Sequence, residues 1–136
     1  MGGSKVVGGF VALLVLVVLD AFWLGLIMRR YWDRQIHSIQ RAPLKVRWPG
    51  ALLVYGLLVV GIMVLVLPLV DVEDSDWIWE VWWRGTVAGL VIYGVYDGTM
   101  YATLKDFQPM TAAADVAWGG VSVPVAALAA GAVLRG

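Results

Sequence analysis

The segment YGVYDGTMYAT, residues 93–103, decides the fold, because it places a carboxylate inside a long apolar stretch. An Asp at the centre of a membrane helix costs about 2.5–3.5 kcal/mol on insertion scales. Two further apolar stretches contain the same kind of residue, at Asp20 and Asp115. The sequence therefore predicts a small membrane protein with a buried acidic site.

The composition supports a membrane protein and excludes several kinds of chemistry. Hydrophobic residues make up 61% of the 136 residues, and the mean hydropathy is +0.82, far above that of a soluble protein. Ten basic and ten acidic residues cancel, so net charge gives no reason to expect nucleic acid as a partner. Cysteine is absent, which excludes disulfides and thiolate chemistry. The single histidine, His37, falls in a polar connector, so imidazole chemistry inside the membrane is excluded as well.

Four apolar segments are each long enough to cross a bilayer. We expect one all-α domain, an integral membrane four-helix bundle over 1–136, with helices at about 6–28, 48–67, 82–104 and 110–134. The first segment contains Asp20 and is too long for the apolar region of a usual signal peptide. The connector after it is basic, and its residues 31–40 can form a short amphipathic helix on the membrane surface.

The distribution of charge predicts the orientation in the membrane. The connector 29–47 and Lys105 together carry seven of the ten basic residues, and basic loops face the cytoplasm. The loop 71–80 is acidic and leads into a group of tryptophans typical of the headgroup region. We expect a multi-pass protein of the cell inner membrane, with both termini outside and with 29–47 and 105–109 in the cytoplasm.

Helical rise places the three acids at similar depths. At 1.5 Å per residue, Asp20 lies about 13 Å from the basic end of its helix, Asp97 about 12 Å and Asp115 about 9 Å. Three acids on three helices thus fall within roughly 5 Å of one depth. This coincidence predicts a single site in the cytoplasmic half of the bilayer.

The residues around the acids repeat. Asp20 and Trp23 have the same spacing as Asp115 and Trp118, and residues three apart share a helix face. In the third helix, phenols stand four residues before and four after Asp97, and each can donate a hydrogen bond. Gly85, Gly89, Gly94 and Gly98 offer small positions for close approach of another helix. We predict a binding or proton site made of Asp20, Trp23, Tyr93, Tyr96, Asp97, Thr99, Tyr101, Asp115 and Trp118.

The state of the acids is left open by the sequence. No Lys or Arg lies at this depth, so desolvation and mutual repulsion favour protonation of at least one acid. A hard cation such as Na⁺, Mg²⁺ or Ca²⁺ could neutralise them instead. A third reading is structural, in which Asp, Tyr and Trp join the helices through hydrogen bonds worth about 0.6–2 kcal/mol each. No catalytic residue, cofactor or metal ligand is assigned.

The ordered motifs resemble those of a family of small bacterial four-helix predicted membrane proteins of unknown function. The resemblance covers nearly the whole chain. It depends on Leu19-Asp20 with Trp23-Leu24-Gly25, on Tyr96-Asp97 with Thr99 and Ala102-Thr103-Leu104, and on Asp115 with Trp118-Gly119. The chain differs at Gly98 and Met100, where the family motif continues with Leu and Asn. The resemblance implies a fold and a location but no activity.

Three functions fit these observations. Intramembrane acids are by default site candidates, which favours proton- or cation-linked transport of a small solute. The alternatives are a membrane-embedded enzyme or accessory factor acting on lipid, with an Asp as general acid or base, and a structural or interaction subunit. Four short helices enclose little volume, so a transport path favours a homodimer within the lipid bilayer.

Overall fold

The last helix of the chain lies at the centre of the molecule. The computed structural model describes residues 4–136, which form helices and connecting loops without strands. Helix α5, Pro109–Arg135, packs along α4, Trp77–Thr103, on one side and along α1, Lys5–Phe22, on the other. Its buried positions are mostly small residues, including Gly119, Gly120, Ser122, Ala126, Ala127, Ala130 and Gly131. Small side chains let two neighbours approach the same helix closely.

Helices α1 and α3 have identifiable starts, and each continues as a segment of another helical type. The Ser4 side chain accepts a hydrogen bond from Val7 N at the start of α1, and α1 continues as a π-helical segment over Trp23–Ile27. Helix α3, Trp48–Val60, has a proline in its first turn. A π-helical segment Gly61–Val66 and a 3₁₀ turn Leu67–Leu69 extend it.

The basic connector contains a fifth helix. Helix α2, Arg29–Gln40, starts two positions before the short helix predicted over 31–40. The structure therefore has five α-helices in residues 4–136, and the predicted four-helix count is not confirmed. Within the described part of the chain, three helical segments are long and apolar enough to cross a membrane: Lys5–Ile27, Trp48–Leu69 and Pro109–Arg135. Glycine, threonine, tyrosine and charged residues make α4 less apolar than these.

The boundaries of α4 differ most from the prediction. The helix begins at Trp77, whereas the sequence predicted a start near residue 82. The predicted aromatic group therefore lies on the first turns of α4. Trp79 is 65% exposed there, while Trp77 is buried against Gly131. The last residues of a loop can extend a helix at its N-terminus, because the first four backbone N–H groups of a helix have no partner within the helix.

The packing of α4 on α5 depends on two of the four predicted small positions. A Cβ on Gly89 would collide with the carbonyl of Gly119, and a Cβ on Gly85 would lie 2.6 Å from Cα of Pro124. Gly94 and Gly98 have no such neighbour. They line an open apolar groove of about 480 Å³ between the outer faces of α4 and α5. Gly85 and Gly89 thus lie in the contact with α5, whereas Gly94 and Gly98 lie beside the open groove.

The outer surface of the molecule is apolar. Large hydrophobic side chains are exposed along α1 and α3, among them Phe10, Leu14, Leu52 and Leu53. The interior contains Leu16, Ile62, Val81, Val123 and the alanines of α5. Contiguous exposed apolar surface of this kind marks a membrane contact, and the apolar helices fit a membrane protein.

Candidate functional site

The three predicted acids are buried together where α1, α4 and α5 meet. Asp97 is fully buried, and Asp20 and Asp115 are 9% and 7% exposed. Asp115 on the central helix α5 interacts with Asp97 of α4 and with Asp20 of α1. Helical rise predicts similar depths for the three acids. Because α5 packs antiparallel to both neighbours, the acids at these depths lie close together.

Asp20 is held by two neutral donors. Tyr55 Oη donates to Oδ2 of Asp20 at 2.7 Å, and Trp118 Nε1 donates to Oδ1 at 2.9 Å. Each carboxylate oxygen thus has a hydrogen bond without a cationic partner. Hydrogen bonds of this kind stabilise charge that would otherwise be unfavourable in a buried position.

Tyr55 is a site residue that sequence reasoning missed. The site predicted from the sequence contains no residue of the second apolar segment, because Tyr55 is the only strongly polar side chain of that segment. The hydrogen bond from Tyr55 to Asp20 corrects that prediction. A signal was available: Tyr55 stands seven residues after Trp48, about 10 Å along the helix, which is close to the predicted depth of the acids.

Asp97 and Asp115 form the unusual part of the site. Their carboxyl groups face each other as potential hydrogen-bonding partners. Both oxygens of Asp97 are buried, and no N–H or O–H group of residues 4–136 donates to them. Two carboxylates cannot bond to each other without a hydrogen, because each would only accept. A proton shared by the two acids would supply the donor that both lack.

The two Asp-x-x-Trp motifs meet crosswise. The rings of Trp23 and Trp118 stack with centroids 4.7 Å apart and 3° between their planes. Trp118 donates to Asp20 of the opposite helix. Trp23 Nε1 faces Asp115, but outside the geometry of a hydrogen bond and without another acceptor. Each tryptophan is thus directed at the acid of the other motif.

Tyr93 completes the cluster on the side toward the centre of the bundle. It is half-buried, its ring packs on Gly119, and it lies within electrostatic reach of all three acids. Its hydroxyl approaches Ser122, whose own Oγ is buried and has no hydrogen bond. Polar atoms therefore continue from the acids into the packed interior.

Three predicted site residues lie outside the buried cluster. Tyr96 is 54% exposed, although it stays within electrostatic reach of Asp97 and Asp115. Thr99 is exposed, because two residues along a helix turn a side chain about 200° away from Asp97. Tyr101 shares the stripe of Asp97, but it is 55% exposed and lines the open groove.

In the described part of the chain, no basic side chain pairs with Asp20, Asp97 or Asp115. Among residues 4–136 the ion pairs are Arg29 with Asp33 and Arg84 with Glu80, both outside the cluster. In the same described range, no three His, Asp or Glu side chains converge as a metal ion would require. The arrangement is chemically suited to take up and release a proton.

Comparison with known proteins shows that one family model matches the part of the chain that contains the whole cluster. The family described as "Predicted membrane protein (DUF2177)" matches residues 6–132, a range that includes all the acids and both stacked tryptophans. No curated protein matches, and no solved structure matches. The match agrees with the resemblance seen in the sequence motifs.

Proposed function

The chain belongs to the DUF2177 family of predicted membrane proteins, and we propose that its Asp97–Asp115 pair is the proton-binding site of a transporter for a small solute. The observation that carries this proposal is the environment of Asp97. Its two oxygens are buried without a donor beside a second acid. A proton shared by the pair removes one charge and supplies the missing hydrogen bond.

A proton suits this pair better than a metal ion. A hard cation such as Mg²⁺ or Ca²⁺ takes six or more oxygen ligands. Asp20 lies nearby, but its oxygens already accept hydrogen bonds from Tyr55 and Trp118. Asp97 and Asp115 are the carboxylates left to bind an ion, so water would have to supply most of its ligands in a buried place.

Asp20 has a structural role in this proposal. Its two hydrogen bonds join α1 to α3 and to α5, so it is a cross-link that fixes the helices around the pair. The buried position of Asp97 also gives no open route for a lipid substrate to reach it. Proton binding therefore explains more of the geometry than lipid chemistry does.

The proposal includes four membrane spans, with α4 as the span that composition alone does not identify. Helix α4 has 27 residues, a length of about 40 Å, and packs antiparallel along α5. Trp77 contacts Gly131 near one end, and Asp97 meets Asp115 toward the other. If α5 crosses the bilayer, α4 crosses with it.

We further propose a single transmembrane domain in the cell inner membrane, with both termini outside and with 29–47 and 105–109 cytoplasmic. The excess of basic residues in these two loops supports this orientation. Cysteines introduced at Lys5 and Ser75, both exposed, should react with an impermeant reagent added to the outside of cells. A cysteine at His37 should react only after permeabilisation, and earlier labelling would contradict the orientation.

We also propose that the transporting unit is a homodimer, because the bundle itself encloses little space. The groove between α4 and α5 is open on the outer surface, so it is not an enclosed path for a solute. Light scattering of the detergent complex, corrected for bound detergent, measures the number of chains. A monomer that transports would contradict this part of the proposal.

Proton binding and transport can be tested separately. Infrared difference spectra between acidic and alkaline pH report a buried protonated carboxyl, and Asp97→Asn should remove that band. Proteoliposomes with an internal pH dye and a potassium diffusion potential report proton flux. We expect flux with the wild type and not with Asp97→Asn. Asp106→Asn makes the same change in an exposed loop and should behave as the wild type. Equal flux in all three proteins would overturn the proposal.

A further inference from the structure

Helix α2 is attached to the rest of the protein through one face. Gln35 is 4% exposed, and its side-chain amide donates to the carbonyl of Asp106 while its Oε1 accepts from Gln108 N at 2.8 Å. Trp32, one turn earlier, meets Phe107 edge-on with ring centroids 6.1 Å apart. The turn between α4 and α5 therefore determines which face of α2 points outward.

The outward face is basic. Arg30, Arg34 and His37 are exposed on one stripe, opposite Gln35. The only acid of α2, Asp33, lies 4.0 Å from Arg29, and no ion pair engages Arg30 or Arg34 within residues 4–136. Arg41, Lys45 and Arg47 extend the exposed basic surface toward α3.

This surface lies where lipid headgroups must be. Helix α2 starts two residues after the candidate span Lys5–Ile27 ends, and the next candidate span begins at Trp48. Both spans are apolar along their exposed faces, so the connector between them is at the edge of the bilayer. Leu44 and Val46 are 47% and 48% exposed between the basic residues, a pattern that suits contact with acyl chains below the headgroups.

We propose that the basic face of α2 and the segment after it bind the headgroups of anionic phospholipids. The charge is complementary, since basic residues beside a membrane attract anionic lipids over distances of about a Debye length. A nucleic acid would also meet positive charge here, but it would make no use of the exposed apolar residues between the cations.

This proposal is independent of proton transport and is tested on the full chain. The purified protein is mixed with phosphatidylglycerol and phosphatidylcholine in detergent, and bound lipids are counted by native mass spectrometry. We expect a preference for phosphatidylglycerol that decreases as salt is raised. In Arg30→Gln/Arg34→Gln the preference should fall on the order of tenfold.

The matched control removes two charges elsewhere. Lys5→Gln/Arg135→Gln makes the same change of net charge at the other end of the bundle and should keep the preference. If Arg30→Gln/Arg34→Gln does not fold, Arg41→Gln/Lys45→Gln tests the same surface outside α2. A wild type without preference for phosphatidylglycerol would overturn the proposal. An equal loss in the control, or a short RNA that displaces the lipid, would overturn it too.

Discussion

Trp23 and Trp118 stack face to face across the interface of α1 and α5, with ring centroids 4.7 Å apart and planes 3° from parallel. Trp118 simultaneously donates a hydrogen bond to Asp20. One residue thus joins the apolar packing of two helices to the polar cluster beside it. The stack positions α1 relative to α5, and α5 in turn presents Asp115 to Asp97.

Stacked indoles interact electronically, so the pair has a spectroscopic signature. Wild-type protein should show an exciton couplet in its circular dichroism, and Trp118→Phe should abolish it. The same variant loses the hydrogen bond to Asp20 and should be destabilised by about 1 kcal/mol. Trp79→Phe is the control, because Trp79 is 65% exposed and should change neither quantity. A couplet that survives in Trp118→Phe would contradict the stack.

Replacing Tyr55 by Phe should destabilise the fold by about 0.6–1.7 kcal/mol, the average and the maximum measured for hydrogen bonds between membrane helices. The ring is preserved, and only the donor to Asp20 is removed. Tyr101→Phe removes an exposed hydroxyl and should be neutral. Thermal unfolding of both variants in the same detergent compares them. If the two variants unfold alike, the hydrogen bond from Tyr55 to Asp20 does not stabilise the fold.

Two glycine substitutions should have opposite outcomes. Gly89→Ala inserts a methyl group against the carbonyl of Gly119 and should destabilise by about 1–3 kcal/mol through overpacking. Gly94→Ala meets open space and should be neutral or slightly stabilising, since alanine favours the helix. Unfolding temperatures measure the difference. Similar losses at both positions would mean that α4 does not approach α5 as described.

The stability of the wild type should fall as pH rises above about 4, the ordinary range of carboxyl groups. The proposed site holds one proton between Asp97 and Asp115 in the folded protein, whereas the unfolded chain would release it. The folded state then binds more protons, so raising the pH favours unfolding. Asp97→Asn has a permanent N–H donor in place of the proton, and its stability should depend less on pH.

The control for this experiment is Asp106→Asn, which should follow the pH dependence of the wild type. Unfolding curves across pH, with and without divalent cations, separate a shared proton from a bound ion. Rescue of only the wild type by added cation, together with a lower stability of Asp97→Asn at every pH, would show that the pair holds a metal.

Much of the architecture follows from local properties of the sequence. Hydropathy and segment length predict apolar helices, and three of them are long and apolar enough to cross a membrane. Helical rise gives Asp20, Asp97 and Asp115 similar depths because depth depends only on position along each helix. The repeated Asp-x-x-Trp spacing likewise identifies Trp23 and Trp118 before their partners are known.

The sequence does not determine which side of each helix contacts its neighbour. Tyr93 and Tyr101 stand at equal distances from Asp97 along α4, yet only Tyr93 joins the cluster. The reason is that Tyr93 packs on Gly119 in the contact between α4 and α5, whereas Tyr101 lies beside the open groove.

Tyr55 and Gln35 owe their roles to residues far away in the chain. Tyr55 reaches Asp20 across 35 positions, and Gln35 reaches the turn at Gln108 across 73. Both pairs join different helices or turns, so the periodicity of a single helix does not predict them. The depth of each Asp depends only on its position along its own helix, so the sequence by itself determined the three depths. The pairing of side chains depends on how three helices rotate and approach one another, and only the tertiary structure decided that.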